Sequence, residues 1–324
     1  MIVKIESHLL DEDNITSLNR LISLCLYKRR YDVFIDLNTA ETTDFYKSLN
    51  PTDKLIIEQS YTRYIQEVLT AKVIVDGEYT FDEAIRFLDQ PFTIILENNN
   101  NDAFFFEKLI EEFNTKAKKI RHLEKNGWLE YGNAGGCGNI SNFIDGKLRM
   151  FDGLPKNNKY KYLRCFILID SDKKHPDDNN NEREKLKNYL IKNEIPYHIL
   201  EKREMENYLP VDAVPETLEN RDFLDAYKRL SPVQQDFFDI EKGFNNKKFD
   251  KLPLEVQKLY ENISPKDKEL FRKAGLKIEG NFKSEFPKYF KSEKVNRETL
   301  MNRCSDQNDK DELPHILEKI NELL

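Results

Sequence analysis

The apolar positions of this chain change period along its length, and the changes predict its elements. Residues 15–26 (ITSLNRLISLCL) are apolar at helical spacing, behind Asp13 and Asn14 as candidate caps. Residues 31–37 (YDVFIDL) alternate and are rich in strand formers. Pro51 suits the first turn of a helix expected to run to about residue 71. A strand over 72–79 leads into Thr80, which forms a capping-box pattern with Glu83. From Phe92 the pattern becomes short apolar runs between amphipathic stretches. Strands are predicted at 92–96 (FTIIL), 127–132 (GWLEYG), 163–170 (LRCFILID) and 196–200, with helices at 103–119, 140–150 and 185–192. A glycine-rich turn (Gly135, Gly136, Gly138) follows the second of these strands. Strands alternating with helices imply a parallel sheet with right-handed crossovers, whose ligands gather beyond the C-terminal strand ends. Beyond about Val211 helical patterns dominate. The expected fold class is therefore α/β, in three parts. A small N-terminal α/β domain spans 1–90, a mostly parallel α/β domain 91–212, and a mainly helical region 213–324.

Composition narrows the class. The 324 residues include 58 acidic and 51 basic side chains, a net charge of −7, and 11% aromatics. That aromatic content argues for folded domains, and the length exceeds one comfortable core. No apolar run approaches a membrane span, and Lys4, Glu6 and Asp11 interrupt the start, so neither a membrane segment nor a signal peptide is expected. Cys25, Cys137, Cys165 and Cys304 lie far apart without a CxxC pair, which argues against a disulfide scaffold or zinc site and suits a cytoplasmic protein. The acidic balance excludes a general nucleic-acid coat, yet residues 241–294 hold 14 Lys/Arg against 9 Asp/Glu. Aromatics interleave with these lysines, so Lys283, Lys288 and Lys291 are candidate nucleic-acid contacts. The favoured reading of that stretch is an aromatic helical core with a solvated lysine face.

Three acidic motifs fall at predicted strand ends. Glu97 follows 92–96, Asp170-Ser171-Asp172 follows the 163–170 run, and Glu204 with Glu206 follows 196–200. Singly, each reads as a loop acid or a helix cap. Together on one sheet edge they would repel unless they shared protons or a cation. Oxygen-only donors suit a hard divalent ion, which points to metal-assisted phosphoryl chemistry.

The ordered motifs resemble the TOPRIM domain of topoisomerases, primases and the overcoming-lysogenization-defect (OLD) nucleases. They are IILE ending at Glu97, Asp102 leading into AFFFEKLI, the GNAGGCGN turn, and FILIDSD ending at Asp170 and Asp172. The continuation HILEKREMENYLP is similar to a segment of OLD-like nucleases in bacterial anti-phage systems, and SPVQQDFFDIEKGF resembles the next stretch of those nucleases. The match covers about residues 91–212. It differs in two places: Asn98 stands where Gly is usual, a position where Asn tolerates positive φ, and Glu97 to Asp102 spans five residues rather than four.

The resemblance implies a TOPRIM-type, Rossmann-like sheet and a Mg²⁺-dependent (Mn²⁺-tolerant) endonuclease acting on DNA or RNA as an anti-phage effector. It implies Asp170 and Asp172 as main metal ligands and Glu97 as a ligand or general base. Glu206 would serve a second ion, with Glu204 as its competitor. Lys202 or Arg203 would steady transition-state charge, or else form an ordinary salt bridge. No GxxxxGK[ST] motif occurs, so an ATPase or sensor would be a separate partner; a homodimer is implied by analogy.

Three other readings compete. A restriction-type core could use Asp145 with Asp172-Lys173-Lys174. A haloacid-dehalogenase-type phosphatase also uses Asp-x-Asp after an apolar strand. A non-catalytic or partner-gated regulator would keep the metal cluster without turnover.

Overall fold

The computed structural model describes residues 1–67, 69–155 and 158–324 and is an α/β protein with two parallel sheets flanked by helices. The first sheet comprises β1 (Ile2–Ile5), β2 (Asp32–Phe34) and β3 (Val73–Val75) in the order β2-β1-β3. Its outer strands are shorter than the sequence pattern predicts. After β2, Asp36 accepts from the Asn38 N–H at 3.2 Å and opens the short helix Leu37–Ala40. After β3, Asp76 turns the chain with φ 70°. Helix Ile15–Leu26 spans the predicted residues, and Leu18, Leu21, Ile22, Cys25 and Leu26 form its buried face. Helix Pro51–Glu67 begins at the proline; the expected extension crosses residue 68, which lies outside the described residues. The capping box is present, with Thr80 N–H donating to Glu83 at 2.8 Å and Glu83 N–H donating to the Thr80 hydroxyl at 3.3 Å.

The second sheet has the order β5-β4-β6-β7, all parallel, from β4 (Phe92–Leu96), β5 (Leu129–Asn133), β6 (Cys165–Ile169) and β7 (Tyr197–Ile199). Every residue of β4 and β6 is buried, as expected of strands covered on both faces. Alternation sorts their side chains. Phe92, Ile94, Leu96, Phe166 and Leu168 face helix Asn99–Glu112 through Phe105, Phe106 and Leu109. Ile95, Cys165, Ile167 and Ile169 face helices Ile140–Leu148 and Asn181–Lys192 through Ile140, Ile144, Leu186 and Leu190. β4 and β6 are neighbours whose chains leave towards opposite faces, which makes a topological switch point and opens a crevice beyond their C-terminal ends.

The helix predicted at 103–119 is two helices, Asn99–Glu112 and Lys118–Lys125. It starts early because the Asp102 carboxylate accepts from Asn98 N–H at 2.8 Å. It stops at Phe113 (φ −101°, ψ 43°), followed by Asn114 and Thr115, which are weak helix formers.

The C-terminal helices do not form a core of their own. Phe223, Phe238, Phe271, Phe286, Leu300, Ile316 and Ile320 share one apolar cluster with the Phe92–Phe166 face of the second sheet. A buried polar network fastens the two. Lys202 Nζ pairs with Asp236, which also accepts from Arg303 Nη2 at 2.8 Å. Glu312, fully buried, accepts from Glu201 N–H at 2.8 Å and from the Tyr208 hydroxyl, and pairs with His198 Nε2 at 2.8 Å. Burial opposes ionisation of Glu312, but these partners hold its carboxyl below the ordinary range. For Lys202 and Asp236 burial wins, pushing the amine down and the carboxyl up. The four cysteines are free. Among the described residues no helix is long and apolar enough to cross a membrane.

Removing one member of a buried ion pair strands the others, at a cost of about 3–5 kcal/mol. Asp236→Asn is expected to destabilise the chain by that amount in denaturant titration. A loss under ~1 kcal/mol would show that Lys202 and Arg303 find other partners.

Candidate metal centre

The crevice is a cavity of about 400 Å³ lined, among the described residues, by seven carboxylates, those of Glu97, Asp102, Asp170, Asp172, Glu204, Glu206 and Glu241. Asn98, Asn101, Asn133, Gly135, Gly136, Phe282 and Lys283 complete its wall. The acids come from the ends of β4 and β6 and from segments that pack against those ends.

The glycine turn holds the Glu97 backbone. Gly135 (φ 73°) and Gly136 (φ 107°) occupy backbone conformations that side chains disfavour, and their N–H groups donate to Glu97 O at 2.9 and 3.0 Å. Asn98 has φ −138°, so the turn after Glu97 does not use the positive φ expected at the usual glycine position. The extra residue before Asp102 is absorbed by the helix start, and Asp102 reaches the cavity.

Asp170 is oriented by Met205 N–H, which donates to Oδ1 at 2.8 Å. Ser171, buried, donates to Lys202 O at 2.6 Å, and Asp172 N–H donates to Arg203 O at 2.9 Å. The residues after β6 are thereby clipped to those after β7. Asp172 takes φ 53°, a region that Asp tolerates better than most residues. Asn207, fully buried, anchors the next turn through bonds to Gln235 O at 2.8 Å and Phe238 O at 2.9 Å, which sets Glu204 and Glu206 on the cavity wall.

The crowding shows in the carboxyl acidities. Burial, then Glu97 and Glu206, raise Asp170 well above its ordinary range. Burial and the acids Glu206 and Glu97 push Asp102 up to about 7, against the Asn98 N–H. Burial and Glu206 push Glu204 up to about 8. Glu97 and Glu206 are also raised, chiefly by burial, with Arg183 opposing at Glu97 and Lys283 opposing at Glu206.

Two of the expected basic residues stand elsewhere. Lys202 is fully buried in its pair with Asp236 and does not line the cavity, so the salt-bridge alternative describes it. Arg203 lies behind the wall, with Nη2 on Asp239 at 2.8 Å and Nε 3.6 Å from Glu204; it orients an acid rather than facing the cavity. The three lysines also part company. Lys283 lines the cavity, Lys288 pairs with Glu285 at 2.7 Å, and Lys291 sits 4.5 Å above the Phe104 ring. Phe244, Tyr260, Phe271, Phe286 and Phe290 are core residues, as the favoured reading of 241–294 expects. Asp145 meets the Tyr189 hydroxyl at 3.5 Å and is absent from the cavity, so no restriction-type core assembles around Asp172.

Sequence reasoning missed Arg183 and Glu241. Arg183 is buried, with Nη1 2.6 Å from Glu97 Oε1 and Nη2 on Asp172 Oδ2. It sits in the first turn of helix Asn181–Lys192, where the macrodipole disfavours a cation. No signal marked it in the sequence, because the predicted helix starts at residue 185 and leaves Arg183 in the polar stretch before it. Glu241 carried none either.

The donor set is all oxygen, half-buried and short of cations, which fits a hard divalent ion. Among the described residues, no three His, Cys, Asp or Glu side chains are close enough together to hold an ion as they stand. Asp170, Asp172, Glu204 and Glu206 would hold one by closing on it. Comparison with protein families, with characterised proteins and with solved structures finds no match to this chain.

A carboxyl whose acidity is weakened by folding binds more protons in the native than in the unfolded state, so stability falls as pH rises towards the folded value. With Asp102 at about 7 and Glu204 at about 8, the protein in EDTA should melt at lower temperature as pH rises from about 5 to 8. Mg²⁺ should restore most of the loss at pH 8, and Asp170→Asn should weaken the dependence in EDTA. A melting temperature flat or rising over this interval would contradict the crowding.

Proposed function

We propose that the chain is a Mg²⁺-dependent nuclease that hydrolyses phosphodiester bonds of DNA or RNA. The observation that carries this reading is the convergence of Glu97, Asp170, Asp172, Glu204 and Glu206 in one cavity at the switch point of a parallel sheet. A divalent ion bound there supplies charge for the phosphoryl oxygens and an acidified water. The chain's own residues orient and exchange protons. Met205 N–H fixes Asp170, Arg203 backs Glu204, and Glu97, less acidic than an ordinary carboxyl because it is buried, suits a general base. Among the described residues Lys283 is the one lysine on the cavity wall, and it suits a contact to a substrate phosphate. A role as an anti-phage effector, with a separate ATPase or sensor partner, rests on the OLD-like segment HILEKREMENYLP.

A partner-gated form of the same site has a specific observation in its favour. Glu97 and Asp172 are already paired with Arg183, which occupies two of the acids in the protein alone. A protein inactive alone but active with a partner would fit that state.

The decisive assay offers supercoiled plasmid, linear DNA, total RNA and a small phosphomonoester, with Mg²⁺, Mn²⁺ or EDTA. Metal-dependent cutting of a polynucleotide is expected, lowered roughly 10²–10⁴-fold in Asp170→Ala and Glu97→Ala. Turnover of the monoester alone would replace the nuclease by a phosphatase. Wild-type rates in both variants would dismiss the site.

Substitution of Lys283 tests the approach of substrate. Lys283→Glu should weaken polynucleotide binding and reduce the salt slope by about one, whereas Lys288→Glu, whose lysine is committed to Glu285, should do neither. Equal effects from the two would remove the special place of Lys283.

A further inference from the structure

The seven carboxylates of the cavity differ in the charge that faces them, and Glu241 has Lys242 at 3.4 Å. Glu97 and Asp172 share one guanidinium, Arg183, whose two arms each meet one carboxylate. Asp102, Asp170 and Glu206 form no ion pair among the described residues. Glu204 has Arg203 at 3.6 Å, already shared with Asp239.

Arg183 is unlike the surface cations of this chain. It is only 5% exposed and stands at the unfavourable end of its helix. Its charge cannot be discharged by deprotonation in a protein, and its planar fork spans two carboxylates at once. Nη1 stands 2.6 Å from Glu97 Oε1, and both atoms are shut off from solvent, so the two charges meet with little water to screen them.

We propose that Arg183 takes the place of one of two divalent cations, so that the site binds a single ion on its Asp170 side while the guanidinium permanently serves Glu97 and Asp172. This rests on the reading of the cavity as a metal centre and refines it. Asp170, with Glu204, Glu206 and Asp102 around it, holds the ion. Asp172 becomes a partner of the guanidinium instead of a ligand, and Glu97 is left to act as base. Arg183 is a positioning residue in this scheme, because it acts through the two acids it holds.

The test counts ions without substrate. Mn²⁺ is titrated into the full chain, with free ion read by electron paramagnetic resonance and heat by calorimetry, for wild type, Arg183→Gln, Arg183→Lys, Asp172→Asn and Asp170→Asn. One Mn²⁺ per chain is expected for wild type and Arg183→Lys, and two for Arg183→Gln. Asp172→Asn should keep one ion with affinity changed less than about threefold, while Asp170→Asn should lose at least tenfold. Should Arg183→Gln fail to fold by its melting curve, the Asp172→Asn and Asp170→Asn pair decides alone. Two ions on wild type, one on a folded Arg183→Gln, or a tenfold loss in Asp172→Asn would each overturn the substitution of charge while leaving the metal centre standing. No binding to wild type, with none or only one ion on Arg183→Gln, would also overturn it; no binding to either would remove the metal centre itself.

Discussion

Seven carboxylates around a cavity of about 400 Å³ set the physical problem that the rest of this protein answers. Like charges crowded around one cavity repel, and partial burial leaves less water to screen the repulsion. Folding must therefore hold them together against their own electrostatics. The chain does so with rigid backbone. Two fully buried strands end beside each other, glycine N–H groups grip Glu97 O, and Met205 N–H grips Asp170.

Rigidity at the sheet edge depends in turn on the C-terminal helices. The segment after β7 carries Glu204 and Glu206, and it is fastened from behind. Lys202 reaches Asp236, Asn207 reaches the carbonyls of Gln235 and Phe238, and Tyr208 reaches Glu312. Buried ion pairs of this kind add little net stability, since desolvation consumes most of the Coulomb gain, but they tolerate few alternative arrangements. What the network contributes is register. The tract EKREMENYLP reads in the sequence as a row of candidate catalytic groups. In the fold it alternates between acids that face the cavity and residues that bolt those acids to the helices behind.

That alternation marks the limit of what the sequence discloses. The parallel sheet, its strand ends and the acids on them were legible, because strand period and burial are local properties. Residues 92–96 and 15–26 coincide with their predicted elements for this reason. The sorting of Lys202 from Arg203, and of Lys283 from Lys288 and Lys291, was not legible. It depends on which partner lies across tens or hundreds of residues, such as Arg303 beside Asp236 or Phe104 beneath Lys291. Arg183 was not legible either. It precedes the helix predicted at 185–192, and the two carboxylates that justify it come from the ends of two different strands. The early start of helix Asn99–Glu112 was likewise hidden, since it turns on a single bond from Asn98 N–H to Asp102.

Under the proposed function the same electrostatics orders the events of binding. A phosphodiester backbone brings about one negative charge per nucleotide to a wall of seven acids answered by Lys283 on the wall and by the fork of Arg183 behind it. Weakly acidic carboxyls such as Asp102 and Glu204 can hold protons near neutrality, which softens the wall without making it attractive. Polyanion and acids attract each other only after a cation has entered. Metal loading is then a condition for holding substrate as well as for cutting it, and a partner that draws the acids together would control both at once. Lys283 lies at the start of helix Phe282–Glu285, in the C-terminal region, so the element that roofs the cavity also carries the cation poised to meet the phosphate. The C-terminal helices thus belong to the site twice, as the scaffold behind Glu204 and Glu206 and as the roof over them.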